Sequence, residues 1–116
     1  MDGEISAADL HDLLAEGSVR VVDIRQPASY RRGHVPGSEN IPMGDLPGRI
    51  EELSGADRVV TVCPHGQASV QAARLIASYE GFSGRVESLE PGIEGWSRQY
   101  DLETEADRDD GPEAPF

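Results

Sequence analysis

Short β-branched runs alternate with helix-patterned runs along this chain, and that alternation limits the fold more than any other feature of the sequence. Residues 19–24 carry Val19, Val21, Val22 and Ile24; residues 58–62 read Arg-Val-Val-Thr-Val; residues 85–89 hold Val86 and Leu89. Each run is too short for a typical helix and has the composition of a buried strand. Between them the spacing turns helical. Ser6 followed by Asp9 makes a helix cap, Leu10, Leu13 and Leu14 share one face, and Gly17 stops the helix. Residues 46–53 set Leu46, Ile50 and Leu53 inward, residues 69–79 put Val70, Ala73, Leu75 and Ile76 in helical register, and a last turn surrounds Trp96. Asn40-Ile41-Pro42 offers a further short element. Strands alternating with helices predict an α/β fold with a mostly parallel sheet covered on both faces.

The 116 residues suffice for one core and not for two, so a single domain is expected over residues 1–100. Residues 101–116 bring seven acidic residues, two prolines and almost no apolar side chains, which predicts a disordered acidic tail. No stretch approaches the roughly 18 to 20 apolar residues of a membrane span, and Met1-Asp2-Gly3-Glu4 lacks the basic start of a secretory signal; a cytoplasmic location is expected. A lone cysteine forms no intramolecular disulfide, and His11, His34 and His65 lack zinc-site spacing, so neither disulfide, metal nor cofactor is implied.

Charge narrows the partners. Acidic residues number 22 against 10 basic ones, all arginine, for a net charge of −12. Nucleic acids and anionic membranes call for cationic patches that this chain lacks in runs, so neither is expected as a partner. An acidic, lysine-free surface resembles that of cytoplasmic proteins from salt-loving archaea, where molar salt shortens the Debye length to roughly 3 Å and mutes self-repulsion.

The chemistry centres on Cys63-Pro64-His65-Gly66-Gln67-Ala68, between the strand at 58–62 and the helical run that begins at Ser69. A loop at a strand-to-helix junction can turn its backbone N–H groups inward and set the positive end of the helix dipole against one sulfur. Thiolate is then favoured over thiol, and an anion has a seat. Cysteine is also a common core residue, and an inert buried thiol is the bland reading that this position argues against.

Four separated motifs carry a resemblance. Val21-Val22-Asp23-Ile24-Arg25 is similar to a V-x-D-x-R segment. Residues 30–42, Tyr-Arg-Arg-Gly-His-Val-Pro-Gly-Ser-Glu-Asn-Ile-Pro, match an E-[YF]-x-x-G-H-[IV]-P-G-A-x-N-[IL]-P signature, with Ser29 in place of its glutamate. Residues 63–69 match C-x-x-G-x-x-S, and residues 89–96 correspond to L-x-G-G-x-x-x-W, with Pro91 where one glycine is common. The chain thereby resembles the single-domain rhodaneses, a sulfurtransferase family, over roughly residues 6–100. The resemblance implies a five-stranded parallel sheet with helices on both faces. It makes Cys63 the nucleophile that takes sulfur from a donor such as thiosulfate and passes it to cyanide or a thiol. Amides of residues 65–69 would cradle the anion, with the Ser69 hydroxyl and the His65 and Gln67 side chains as added donors, while Pro64 supplies no N–H. Ala68 stands where many members have arginine, so a neutral or protein-bound persulfide donor is an alternative to thiosulfate.

Other readings stand beside this one. Asp23, Gly33, His34, Pro36 and Gly37 suit turns and buried polar pairing, and Trp96 suits a core plug. Arg25 follows the C-terminal end of a strand, the edge where open α/β sheets bind ligands, so it is a candidate for substrate binding as much as for structure. Cysteine phosphatases carry arginine six residues after the cysteine; here that residue is Ser69. A non-catalytic rhodanese-like binding or regulatory module usually lacks the cysteine that this chain keeps. A sulfur relay with a protein donor and acceptor shares the same chemistry.

Overall fold

The structure is a computed structural model that describes residues 1–104; residues 105–116, most of the predicted tail, lie outside the described residues. Its elements run β1 (Glu4–Ile5), α1 (Ala7–Glu16), β2 (Arg20–Asp23), α2 (Pro27–Arg32), β3 (Glu39–Asn40), α3 (Leu46–Arg49), β4 (Arg58–Val62), α4 (Ala68–Ser78), β5 (Arg85–Leu89) and α5 (Gly92–Ser97). The five strands form one sheet in the order β1-β5-β4-β2-β3, and every pairing is parallel. This is the α/β architecture expected from the alternation of runs.

Strand periodicity divides the core into two layers. Val22 of β2, Val59 and Cys63 of the β4 line, and Val86 of β5 face Leu46, Ile50, Leu53, Ala72, Ala73 and Ile76. Val21, Val60, Val62 and Leu89 face the other way, onto Leu10 of α1 and Ile93 and Trp96 of α5. Helices α3 and α4 thus cover one face, α1 and α5 the other. Trp96 is buried and plugs the second layer, its indole N–H donating to the Asp101 carbonyl at 3.3 Å.

Local chemistry explains most element ends. The Ser6 side chain accepts from the Asp9 amide at 3.1 Å, and Gly17, at φ +72°, closes α1. The helix expected over residues 46–53 is broken: α3 ends at Arg49 and a 3-10 turn covers Ile50–Leu53. Pro47 and Gly48 together give too little backbone support for two continuous turns, yet the three inward residues are buried as anticipated. Two elements escaped the sequence reading. Helix α2 starts on Pro27, which is pre-set for a first turn, and β1 is a two-residue edge strand on β5.

The segment after residue 100 begins on the domain. Leu102 packs on the second layer, and His34 and Glu103 exchange backbone hydrogen bonds of 2.9 and 2.8 Å. Among the described residues no helix is long and apolar enough to cross a membrane.

Candidate active site

Strand β4 is the middle strand, and Cys63 directly follows its last residue, at the carboxyl edge of the sheet where α/β folds place ligands. The chain turns through Pro64–Gln67 and enters α4 at Ala68. The helix N-terminus is therefore beside the sulfur, with its dipole favouring negative charge there.

Cys63 Sγ accepts from the Gly66 amide at 3.1 Å and lies 3.3 Å from Ser69 Oγ, which is 2.7 Å from Ser88 Oγ on β5. Thr61 Oγ1 donates to the Ser69 carbonyl at 2.7 Å. All three hydroxyls are buried, Thr61 on β4 and Ser88 on β5 lying beneath Ser69 in the first turn of α4. When Cys63 is a thiolate, Ser88 can donate to Ser69 and Ser69 to the sulfur, a chain in which each bond strengthens the next. Burial pushes the Cys63 thiol up. The Ser69 hydroxyl and the amides of Ser69, His65 and Gly66 outweigh it, and the thiol ionises below its ordinary range.

The closing segment forms the floor of the loop. Ile93 N–H donates to the Cys63 carbonyl at 2.9 Å and Glu94 N–H to the Pro64 carbonyl at 3.1 Å. The approach is close enough to demand glycine twice. A Cβ on Gly66, at φ +86°, would sit 2.0 Å from the Glu90 oxygen, and one on Gly92, at φ +67°, 2.4 Å from the Pro64 oxygen.

The structure brings Cys63, Gly66 and Ser69 together. Gln67 and Ala68 are exposed at the rim, and no side-chain hydrogen bond from Gln67 caps α4. His65 is exposed as well, its Nδ1 lying 3.3 Å from Glu94 Oε2. Arg25 lies outside the loop. Its Nε and Nη2 bind the buried Asp23 carboxylate at 3.0 and 2.8 Å, and Nη2 also donates to the Gly33 carbonyl at 2.6 Å. The pair pins the turn between β2 and α2, although Arg25 also lines a shallow groove with Ser29, Arg32 and Ile93. Ser88 and Gly92 were missed. A serine at an inward position of an apolar strand was the available signal for the first; for Gly92, nothing local announced the contact with Pro64.

The fold is a parallel α/β domain that sets Cys63, its thiol acidified, between the middle strand and the start of α4. Residues 6–99 match the rhodanese-like domain, and the chain belongs to that family. It is 34% identical over 101 residues to thiosulfate sulfurtransferase GlpE of Pseudoalteromonas translucida, covering 87% of this chain and 94% of that protein. It is 31% identical over 83 residues to YrkF of Bacillus subtilis, for which a sulfur-carrier role is proposed; the match takes in 72% of this chain and 44% of that protein. A rhodanese-related protein from Thermoplasma volcanium superposes with a TM-score of 0.76 at 27% identity, over 86% of this chain and 96% of that one. Family and relatives together support sulfur transfer as the general chemistry.

Proposed function

We propose that the protein moves a sulfane sulfur from a thiosulfate-type donor to a thiophilic acceptor through a persulfide on Cys63. The carrying observation is the Cys63 sulfur, held by the Gly66 amide at 3.1 Å and facing the Ser69 hydroxyl at 3.3 Å, with its thiol acidified. The thiolate attacks the outer sulfur of thiosulfate, a new S–S bond forms, the old one breaks, and sulfite leaves with the electron pair. The terminal sulfur of Cys63–S–S⁻ then lies where the amides of residues 65–69 and the end of α4 stabilise negative charge. Cyanide or a thiol attacks that sulfur, and the thiolate is restored.

Similarity to YrkF supports a second reading, in which donor and acceptor are proteins and Cys63 is one station of a sulfur relay. Exposed Ala68 leaves the rim without the fixed cation that would attract a dianion, which also favours a protein-bound persulfide as donor.

Intact mass after incubation with thiosulfate tests the proposal. One added sulfur that cyanide removes, and that Cys63→Ser never acquires while keeping its fold, supports it. A sulfur adduct on the Cys63→Ser protein, or none on the wild type with thiosulfate and with a protein persulfide alike, refutes it.

A further inference from the structure

The two halves of such a reaction differ in their protons. Thiosulfate carries none that must leave when the thiolate attacks it. A thiol acceptor does, because an ordinary thiol, with a pKa near 8.5, is only a few per cent thiolate at pH 7. Sulfur discharge to a thiol therefore needs a base that sulfur loading does not.

We propose that His65, oriented by Glu94, is that base, and that the acceptor is a thiol still protonated at neutral pH. The inference rests on Cys63 as the sulfur carrier and adds the class of acceptor. His65 stands two residues after Cys63 and directly before Gly66, whose amide donates to the Cys63 sulfur at 3.1 Å. The ring itself stands in solvent at the rim, its side chain 64% exposed. Nδ1 lies 3.3 Å from Glu94 Oε2, so the proton belongs on Nδ1 and the lone pair on Nε2. Glu94 is fixed in turn. Its amide donates to the Pro64 carbonyl at 3.1 Å, and its Oε1 accepts from Arg98 Nη2 at 3.2 Å. Pro64 stiffens the backbone just ahead of the ring. The charged groups set against the imidazole are Glu94 of α5 and, behind it, Arg98 at the C-terminal end of that helix. An exposed pair of this kind adds little to folding stability.

The step balances. As the acceptor sulfur attacks the terminal sulfur of Cys63–S–S⁻, its S–H proton passes to His65 Nε2. The S–S bond to Cys63 breaks, its electron pair returns to Sγ as thiolate, and the acceptor leaves as R–S–S⁻. The imidazolium, neighboured by the Glu94 carboxylate, then releases the proton to water. Glu94 is a positioning residue in this scheme, since it reaches the acceptor only through the ring.

Single-turnover discharge of sulfur-loaded full chain tests this, with 2-mercaptoethanol as a protonated acceptor and 4-nitrothiophenol as one already ionised at pH 7. Loading is read first by intact mass; a wild-type protein that takes up no sulfur overturns the Cys63 reading and this proposal with it. His65→Gln should slow discharge to 2-mercaptoethanol at least about tenfold, a floor beneath the order of 10²-fold that a positioned base contributes. Glu94→Gln should slow it about threefold. Both variants should stay within about twofold of wild type with 4-nitrothiophenol, and raising the pH to 9 should shrink the 2-mercaptoethanol deficit. Equal slowing with both thiols would mark a structural effect on the loop and overturn the proposal, as would an undiminished rate with 2-mercaptoethanol.

Discussion

Replacing Ser69 with alanine removes the side-chain donor that faces the Cys63 sulfur at 3.3 Å and leaves the amides in place. A hydrogen bond to a charged group contributes about 1.5–3 kcal/mol, and one pKa unit corresponds to about 1.4 kcal/mol, so the Cys63 pKa should rise by about 1–2 units. Well below that pKa, each unit lowers the thiolate population tenfold. Alkylation by iodoacetamide near pH 6 should therefore slow about 10- to 100-fold, and the two proteins should converge at alkaline pH. The wild-type alkylation profile should have its midpoint below that of an ordinary cysteine thiol, in keeping with the downward shift of the thiol. The change has a structural cost too. Ser88 Oγ, buried and 2.7 Å from Ser69 Oγ, loses that partner, which destabilises by about 1–3 kcal/mol. Adding Ser88→Ala should recover part of that loss in a thermal melt without restoring the alkylation midpoint. Stability should follow the same logic. A thiol that titrates lower in the folded than in the unfolded chain adds stability above its unfolded value, and this is lost as pH falls through the folded value; Ser69→Ala shrinks that gain. An alkylation midpoint unmoved by Ser69→Ala would refute the assignment of the hydroxyl as the main support of the thiolate.

The remaining predictions concern the loop, the tail and the surface. Gly66→Ala should destabilise by several kcal/mol in a denaturant melt, because its Cβ would lie 2.0 Å from the Glu90 oxygen at a φ of +86°. Ala68→Arg should raise the rate of persulfide formation from thiosulfate, since a cation within about 4 to 6 Å favours both thiolate and donor; an unchanged or slower rate at low and high salt alike would indicate a loop suited to another donor. Truncation after Thr104 should change the melting free energy by less than about 0.5 kcal/mol. Truncation after Tyr100 should cost about 1–3 kcal/mol, because it strips Leu102 from the core and unpairs the Trp96 N–H and the His34 backbone. With a net charge of −12 and no lysine, stability should rise between ~10 mM salt, where the Debye length is roughly 30 Å, and ~1 M, similarly in potassium and sodium chloride; a flat or falling melting temperature would remove the halophilic reading.

Local signals were legible wherever a residue's own neighbours in the chain decide its state. The strands at 20–23, 58–62 and 85–89 follow from β-branched runs, the first helix from Ser6 and Gly17, and the place of Cys63 from a cysteine between strand and helix. Helix α3 departs from its pattern because Pro47 and Gly48 oppose a continuous helix inside an otherwise periodic run. Residues 101–104 read as tail on composition, but Leu102 and Glu103 meet Gly33 and His34 nearly seventy positions away, and composition carries no record of such a meeting. The same holds at the site. Sequence alone determined that Cys63 would stand at the carboxyl edge of a parallel sheet with a helix N-terminus beside it. Only tertiary structure decided that Ser88 of β5 lies behind Ser69 and that Gly92 presses on Pro64. It also set Glu94 against the His65 ring. Each of these contacts joins elements brought together by strand order and crossover packing, and their distances are set by the sheet rather than by spacing along the chain.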